Sequence, residues 1–214
     1  MMPKYLIFAM ASYLIGSIPF AYILVKKITG EDITKHGTGN IGAMNVKRTT
    51  GSWGWFALDV LLDGHKGIIP VVLAKFFAPI VGLDVNLTCY VAIFFAILGH
   101  NYSIYMLPIK GRIVGGKGLA TAGGAILAYN WTFLAIALFI ALLVIFATKY
   151  LLAGQIAVTI AMPIYVWFIS PKDFWFIALI CLIIFVKHEP RLPGLLSGKE
   201  PKWNIKDHHQ VKED

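Results

Sequence analysis

The chain has 214 residues and a mean hydropathy of +0.72, with 58% apolar and only 14% charged residues. A soluble domain usually carries about 25% charged residues, so this composition excludes an ordinary soluble protein and predicts a domain embedded in a lipid bilayer. The formal net charge is +8. Because the cations lie between apolar runs, we expect anionic lipid headgroups or phosphate substrates as partners, and no nucleic acid.

Apolar runs of near-membrane length dominate the chain. A helix that crosses a bilayer needs about 20 apolar residues, and several of these runs approach that length. The candidate spans, in chain order, are residues 5–25, 67–83, 87–107, 131–147, Leu151–Ile169 and 174–186.

Two shorter apolar pieces complete the predicted helices. We join residues 53–62 to 67–83 as one long helix, broken or bent near the sequence DGHKG, and treat Leu119–Tyr129 as a separate short helix that ends near Asn130. The sequence therefore predicts an all-α, polytopic integral membrane bundle of about seven transmembrane helices. Residues 1–202 are predicted to form a single domain, followed by a polar cytoplasmic tail at 203–214.

The positive charges predict the orientation of this bundle. Of the nineteen Lys and Arg residues, five fall in residues 26–51, three in 108–118 and six in 187–214. Positive charge is enriched in cytoplasmic loops of membrane proteins, so these three segments are predicted to share the cytoplasmic face. That arrangement places the N-terminus outside and the C-terminus in the cytoplasm.

Two glycine-rich segments carry the residue types that bind phosphate. In the second, GGKGLAT at residues 115–121, glycines flank Lys117 and a helix follows, so backbone N–H groups, a helix N-terminus and a cation converge. Its spacing differs from that of a Walker A loop. In the first, HGTGNIGAMNVKR at residues 36–48, Thr38, Asn40 and the neighbouring amides are donors, and Arg48 is suited to bidentate phosphate binding. Two such loops predict two phosphorylated groups held side by side.

Other polar residues in the apolar runs allow more than one interpretation. His100 and His188 lie at predicted helix ends, and either is a candidate general base or phosphate hydrogen-bond donor.

Asp59 and Asp63, four residues apart, weakly resemble the metal-binding aspartates of CDP-alcohol phosphotransferases, but the rest of that pattern is absent. We therefore favour an ion pair of Asp63 with Lys66 or another loop cation. The histidines and cysteines show no zinc spacing, so we expect no metal and no cofactor.

Four segments in fixed order resemble one family. GTGNIGAMNVKRTTG, LDGHKGIIPV, GHNY…GGKGLAT and H…GKEPK are similar to the bacterial acyl-phosphate:glycerol-3-phosphate acyltransferases, the PlsY family, from Gly16 to about Lys202. The resemblance implies a seven-helix membrane enzyme that moves a fatty acyl group from acyl phosphate to the sn-1 hydroxyl of glycerol 3-phosphate. The product is lysophosphatidic acid, in the first step of bacterial phospholipid synthesis. The resemblance also implies no metal, no use of acyl-CoA, and a soluble enzyme that makes acyl phosphate as a partner.

Carried over by position, the resemblance assigns the site residues. Lys117, His188 and Arg48 are the expected catalytic residues, and Gly198 and Glu200 match the third motif. The expected phosphate-binding residues are Thr38, Gly39, Asn40, Asn45, His100, Gly115, Gly116, Gly118, Thr121 and Arg191.

The chain departs from the family pattern at several positions. Thr38 stands where serine is usual, Met44 where threonine is usual and Leu152 where serine is common, and the residues around Arg112 lengthen the second loop. Arg191 and Gly194 replace the usual asparagine and arginine of the third motif. These departures indicate a divergent paralogue. Two explanations remain open. Arg191 supplies the charge of the arginine missing at Gly194, from a position three residues before it, or the binding site for the acyl acceptor has changed.

The expected chemistry is direct attack of the glycerol hydroxyl on the acyl carbon, because acyl phosphate is already an activated mixed anhydride. No GxSxG sequence is present and neither cysteine lies near a cationic loop, so no acyl-enzyme is expected. The base is His188, His100 or an oxygen of the substrate's own phosphate.

The alternatives to this acyltransferase function are a catalytically altered paralogue, a non-enzymatic binder or transporter of phosphate esters, and a metal-dependent CDP-alcohol phosphotransferase.

Overall fold

The computed structural model describes residues 2–202, so the predicted polar tail lies outside the described residues. Within them the chain forms eleven α-helices, four short 3-10 turns and no β-strand. The helices are α1 (Met2–Ser17), α2 (Phe20–Thr29), α3 (Ala43–Thr50), α4 (Trp53–Ile80), α5 (Val85–Asn101), α6 (Leu107–Lys110), α7 (Leu119–Tyr129), α8 (Trp131–Thr148), α9 (Leu151–Ile169), α10 (Phe174–His188) and α11 (Leu192–Leu196).

The predicted all-α membrane architecture is confirmed. Three helical stretches are long and apolar enough to cross a membrane, namely Met2–Thr29, Trp131–Thr148 and Leu151–Ile169, and Val85–Asn101 and Leu119–Tyr129 are shorter apolar helices. The predicted bounds of α7 and α9 agree with the structure, and Asn130 is the C-cap of α7. The count of seven spans stays a prediction.

Helix α4 confirms the predicted link between residues 53–62 and 67–83. It is continuous through DGHKG, so a break there is wrong, and a bend at that point stays a prediction. The glycines there serve close packing against α7. A Cβ on Gly67 would overlap with the carbonyl oxygen of Thr121 and lie 2.6 Å from the amide nitrogen of Ala125. The helix remains continuous because these glycines keep helical backbone geometry and only omit a side chain.

The first predicted span remains a single candidate span over Met2–Thr29, but its helix is interrupted at Pro19. A proline has no amide hydrogen and clashes with the preceding turn, and here α1 ends at Ser17 and α2 begins at Phe20. The break leaves carbonyl groups without helical donors. Ser103 Oγ donates to the carbonyl oxygen of Ser17, and Nζ of Lys66 donates to that of Ile18 at 2.8 Å. The break is therefore stabilised by polar side chains from α4 and from the segment after α5.

The chain divides into two compact units, one extending to Trp131 and the other beginning at Thr132. In the first unit, α4 packs against α7 and α5, and α1 packs against α5. In the second, α9 packs against α10. The prediction of a single domain over residues 1–202 stays a prediction.

Gly124 provides a test of the contact between α4 and α7. A Cβ at this position would overlap with the carbonyl oxygen of Gly64 and lie 2.6 Å from its carbonyl carbon. We expect Gly124→Ala to lower the free energy of unfolding by about 1–3 kcal/mol, because neither helix backbone can yield without losing packing. The measurement is the midpoint of thermal unfolding in detergent.

The matched control is Gly54→Ala on α4, the helix against which Gly124 of α7 packs. There the nearest atom to the new Cβ is Ser52 Oγ at 3.5 Å. Because alanine is a better helix former than glycine by about 1 kcal/mol, this variant should keep or raise the midpoint. Equal midpoints for the two variants would show that the close contact contributes nothing to stability.

Candidate functional site

The first glycine-rich loop is held together by Asn45, which is 1% exposed. Its Nδ2 donates to the carbonyl oxygens of Ile33, His36 and Asn40 at 3.0–3.1 Å, and its Oδ1 accepts from the amide of Thr38 at 3.2 Å. The hydrogen-bonding atoms of Asn45 are therefore engaged within the loop. In this structure the residue sets the loop conformation, and direct phosphate binding by it stays a prediction.

The remaining predicted residues of the first loop differ in accessibility. Thr38 and Arg48 are exposed, and Asn40 is half-buried. The amide of Gly39 donates to the carbonyl oxygen of His36 at 2.9 Å and closes a turn in which Gly39 has a φ of 68°. The groups that this loop presents at its surface are thus the Thr38 side chain and the Arg48 guanidinium.

The second glycine-rich loop folds back onto the end of α5. The amide of Gly116 donates to the carbonyl oxygen of His100 at 3.0 Å. A Cβ on Gly115 would overlap with that same carbonyl oxygen, and one on Gly118 would lie 2.8 Å from Oδ1 of Asn101. Glycine is required here for close approach, and at Gly118 also for a φ of 79°.

Lys117 lies between these packed glycines and the start of α7. Its side chain is half-buried, whereas Gly116 and Gly118 are buried. Gly118 is the N-cap of α7, and a glycine has no side chain with which to cap the helix. The first-turn amides of α7 and the Lys117 ammonium together form a cationic helix N-terminus suited to an anion. Thr121, by contrast, is buried in α7, and its hydroxyl has no hydrogen-bond partner among residues 2–202.

The structure brings the two glycine-rich loops together. The prediction that both loops lie on the same face of the membrane requires this proximity. Lys110 after α5 forms an ion pair with Asp32 before the first loop. A Cβ on Gly116 would lie 2.6 Å from the carbonyl oxygen of Ile41. Ile41 and Val46 of the first loop belong to an apolar cluster, against which Val114, next to the second loop, also packs. The other members of the cluster are Ala21, Val25, Ile33 and Met106.

A buried polar cluster lies beside the second loop. Nζ of Lys66 lies 2.8 Å from Oδ1 of Asp63, which confirms the predicted ion pair. The same Nζ lies 3.1 Å from Nδ1 of His100, and these residues line a small pocket with Ser17, Ser103, Gly115 and Gly116. The sequence pattern singled out His100 but missed its contact with Lys66, although the LDGHKG segment was part of the resemblance.

The third motif lies in the second unit. His188 is buried at the end of α10, and its Nδ1 lies 2.8 Å from the carbonyl oxygen of Ile184. Arg191 forms an ion pair with Glu200, whose side chain is mostly buried. Arg191 therefore has a structural partner in this motif, and its predicted role in phosphate binding is untested.

Comparison with known proteins identifies the family of this fold and these loops. Residues 6–198 match the family described as "Glycerol-3-phosphate acyltransferase". The chain belongs to this family. It is therefore an acyltransferase and an integral membrane protein. This membership favours an acyltransferase over the two alternatives, a transporter and a CDP-alcohol phosphotransferase.

Individual relatives extend over nearly the whole chain. The glycerol-3-phosphate acyltransferase of Clostridioides difficile is 35% identical over 200 residues, covering 93% of this chain and 95% of that protein. The one from Wolbachia pipientis of Culex pipiens is 37% identical over 202 residues, covering 94% of this chain and 100% of that protein.

The fold also matches solved structures of this family. A crystal structure of the integral membrane glycerol 3-phosphate acyltransferase PlsY in its glycerol 3-phosphate form has a TM-score of 0.79 and 26% identity, covering 94% of this chain and 96% of that one. The lysophosphatidic acid form of the same enzyme has a TM-score of 0.76.

Over residues 2–202, no group of three His, Cys, Asp or Glu side chains is arranged to hold a metal ion. Cys89 and Cys181 are free thiols, each buried in a helix.

Proposed function

We propose that this acyltransferase moves a fatty acyl group from acyl phosphate to the sn-1 hydroxyl of glycerol 3-phosphate, giving lysophosphatidic acid. The family membership carries this proposal, and the two linked glycine-rich loops support it, because both substrates bear a phosphate. The crystallised relatives are described with glycerol 3-phosphate and lysophosphatidic acid. The fatty chain of the donor would lie in the bilayer, with its phosphate at the loops.

The proposed reaction needs no covalent intermediate. The glycerol hydroxyl attacks the acyl carbon, the bond from that carbon to the phosphate oxygen breaks, and inorganic phosphate leaves. Holding both reactants side by side supplies much of the acceleration. Lys117 and the first-turn amides of α7 would stabilise the leaving phosphate as its charge grows, and Arg48, Thr38 and His188 would bind substrate phosphates or the developing oxyanion.

The decisive experiment supplies purified protein with acyl phosphate and labelled glycerol 3-phosphate, with EDTA present, and measures lysophosphatidic acid. We expect product with acyl phosphate and none with acyl-CoA. Strict dependence on magnesium would instead support the CDP-alcohol interpretation. A soluble enzyme that makes acyl phosphate is the expected source of the donor in the cell.

We propose that the protein crosses the membrane several times and that its glycine-rich loops face the cytoplasm. The clustered Lys and Arg residues support this orientation. Single cysteines at the exposed positions Lys35, Arg112 and Ser197, in a chain lacking Cys89 and Cys181, are expected to resist an impermeant thiol reagent in intact cells and to react after lysis. Labelling of any one of them from outside would contradict the shared cytoplasmic face.

The third motif gives a test of the acceptor site. If Arg191 supplies charge to glycerol 3-phosphate, Arg191→Ala should raise the apparent KM for glycerol 3-phosphate about tenfold or more, well above any change for acyl phosphate. Glu200→Gln is the matched control, because it removes the ion pair with Arg191 but keeps the arginine charge. Restoring arginine at Gly194 in the Arg191→Ala variant should recover part of the loss.

Two results would decide against this role of Arg191. Identical kinetics for Arg191→Ala and Glu200→Gln would show that the arginine acts only through its ion pair. A wild-type protein that binds acyl phosphate but does not turn over glycerol 3-phosphate would show that the acceptor site has changed.

A further inference from the structure

The ring of His100 lies between an ammonium group and the second glycine-rich loop. On one side, Nδ1 is 3.1 Å from Nζ of Lys66 and 3.7 Å from Oδ2 of Asp63. On the other side, the ring edge contacts Gly116, where an added Cβ would overlap with Nε2 and lie 2.8 Å from Cε1. The two ring nitrogens therefore face different surroundings.

The contacts of Lys66 decide which of these nitrogens carries the proton. Lys66 is 3% exposed, and its Nζ has three polar neighbours, which are the carbonyl oxygen of Ile18 at 2.8 Å, Oδ1 of Asp63 at 2.8 Å and Nδ1 of His100 at 3.1 Å. A lysine ammonium has three N–H donors and no acceptor. The ion pair with Asp63 keeps it charged, so Nδ1 of His100 must receive the hydrogen bond through its lone pair.

We propose that Lys66, held charged by Asp63, fixes neutral His100 in the tautomer with the proton on Nε2. The N–H of His100 is then directed towards the loop at residues 115–118. On the function proposed above, which binds substrate phosphate at this loop, His100 is a hydrogen-bond donor there and not the general base. Lys66 and Asp63 act through His100, so they are positioning residues.

The same contacts oppose a second proton on His100. A proton on Nδ1 would create an imidazolium 3.1 Å from the Lys66 ammonium, and two like charges at that distance repel strongly in a buried site. Lys66 and Asp63 of α4 are charged groups that face this ring. Asp59 lies one turn before Asp63 on α4, and Lys117 follows Gly116 in the loop. Asp63 favours the imidazolium, but its Oδ1 already pairs with Lys66.

His188 provides the opposite case in the same protein. Its Nδ1 lies 2.8 Å from the carbonyl oxygen of Ile184. A carbonyl oxygen only accepts hydrogen bonds, so Nδ1 of neutral His188 carries the proton and Nε2 has the lone pair. Of the two histidines, only His188 presents a basic nitrogen at Nε2, which leaves His188 and the substrate phosphate as the candidate bases.

The test is the nitrogen-15 NMR spectrum of ring-labelled histidine, because protonated and unprotonated ring nitrogens have well-separated chemical shifts. The other four of the six histidines are replaced by glutamine, so that only His100 and His188 contribute. We expect His100 to show an unprotonated Nδ1 and His188 an unprotonated Nε2, near neutral pH. A spectrum in which both residues are protonated at Nδ1 overturns the proposal, and this result needs no substituted lysine.

Lys66→Met extends the test, with Lys75→Met as the matched control. Lys75 lies on the same helix, but it donates to the carbonyl oxygens of Ala128 and Tyr129. These residues form the C-terminal end of α7, whereas the loop precedes the N-terminal end of that helix. We expect Lys66→Met to move the His100 signals towards protonation at Nδ1 and to raise the apparent KM for acyl phosphate about tenfold. Lys75→Met should leave both unchanged.

The spectrum and the kinetics separate two kinds of failure. Unchanged His100 signals in folded Lys66→Met protein would overturn the positioning role of Lys66. A spectrum as expected, in a protein that makes no lysophosphatidic acid, would support the tautomer assignment while contradicting the proposed function.

Discussion

Lys117→Ala is expected to lower the rate of acyl transfer by several orders of magnitude. A hydrogen bond from a charged donor to phosphate contributes about 1.5–3 kcal/mol, which by itself corresponds to roughly tenfold to a few hundredfold. We expect the larger loss because Lys117 also stabilises the transition state. Lys117 adjoins the uncapped start of α7, where the leaving phosphate gains charge in the proposed transition state. Interactions that strengthen in the transition state act on the chemical step, so the loss should appear mainly in kcat.

The control for this prediction is Lys149→Ala. Lys149 lies in the turn between α8 and α9, is exposed, and belongs to no glycine-rich loop. The measurement is the steady-state rate of lysophosphatidic acid formation over a range of both substrates. Equal and mild effects at Lys117 and Lys149 would leave the phosphate-binding role of the second loop without support.

Asp63→Asn is expected to destabilise the protein strongly, whereas Asp59→Asn is expected to leave its stability unchanged or higher. Asp63 pairs with the buried Lys66, and removing one partner of a buried ion pair costs about 3–5 kcal/mol because the other charge remains. Asp59 is 0% exposed, and neither of its carboxylate oxygens has a hydrogen-bond partner in the part of the chain that the structure describes. Burial without a partner costs stability.

These two substitutions are matched, because both replace a carboxylate by an amide of the same shape on adjacent turns of α4. The measurement is the midpoint of thermal unfolding in detergent. A fall of similar size for both variants would mean that Asp59 has a stabilising partner of its own. No fall for Asp63→Asn would mean that the ion pair with Lys66 is not needed for folding.

The helices were largely predictable from the sequence, because apolar length and helix-ending residues are local properties. The bounds of α7 and α9 follow directly from where the apolar runs begin and end. Two details depend on contacts that composition alone does not show. Gly64 and Gly67 were expected to break or bend α4, but the helix is continuous and these glycines serve a contact with α7. Pro19 interrupts the helix of the first span, although Met2–Thr29 as a whole remains long and apolar enough to cross a membrane.

The site was predictable in its parts but not in its connections. The glycines, Lys117, Arg48 and Thr38 were predicted as site residues because phosphate binding uses those residue types in short segments, and their roles stay predictions. That Asn45 holds the first loop together, and that Arg191 pairs with Glu200, depends on hydrogen bonds and ion pairs across five to twelve residues. Such contacts follow from how the chain folds back on itself, which spacing alone does not specify.

The sequence by itself determined that this protein lies in a membrane, is helical and handles phosphate, because hydropathy, glycine and charge act locally along the chain. Only the tertiary structure decided which of these groups bind one another. Asp63, Lys66 and His100 belong to two different helices, 34 residues separate the last two, and their contact arises from the packing of α4 against α5. The protonation of His100 is a property of that contact, since a histidine tautomer is set by the partner of its ring nitrogens.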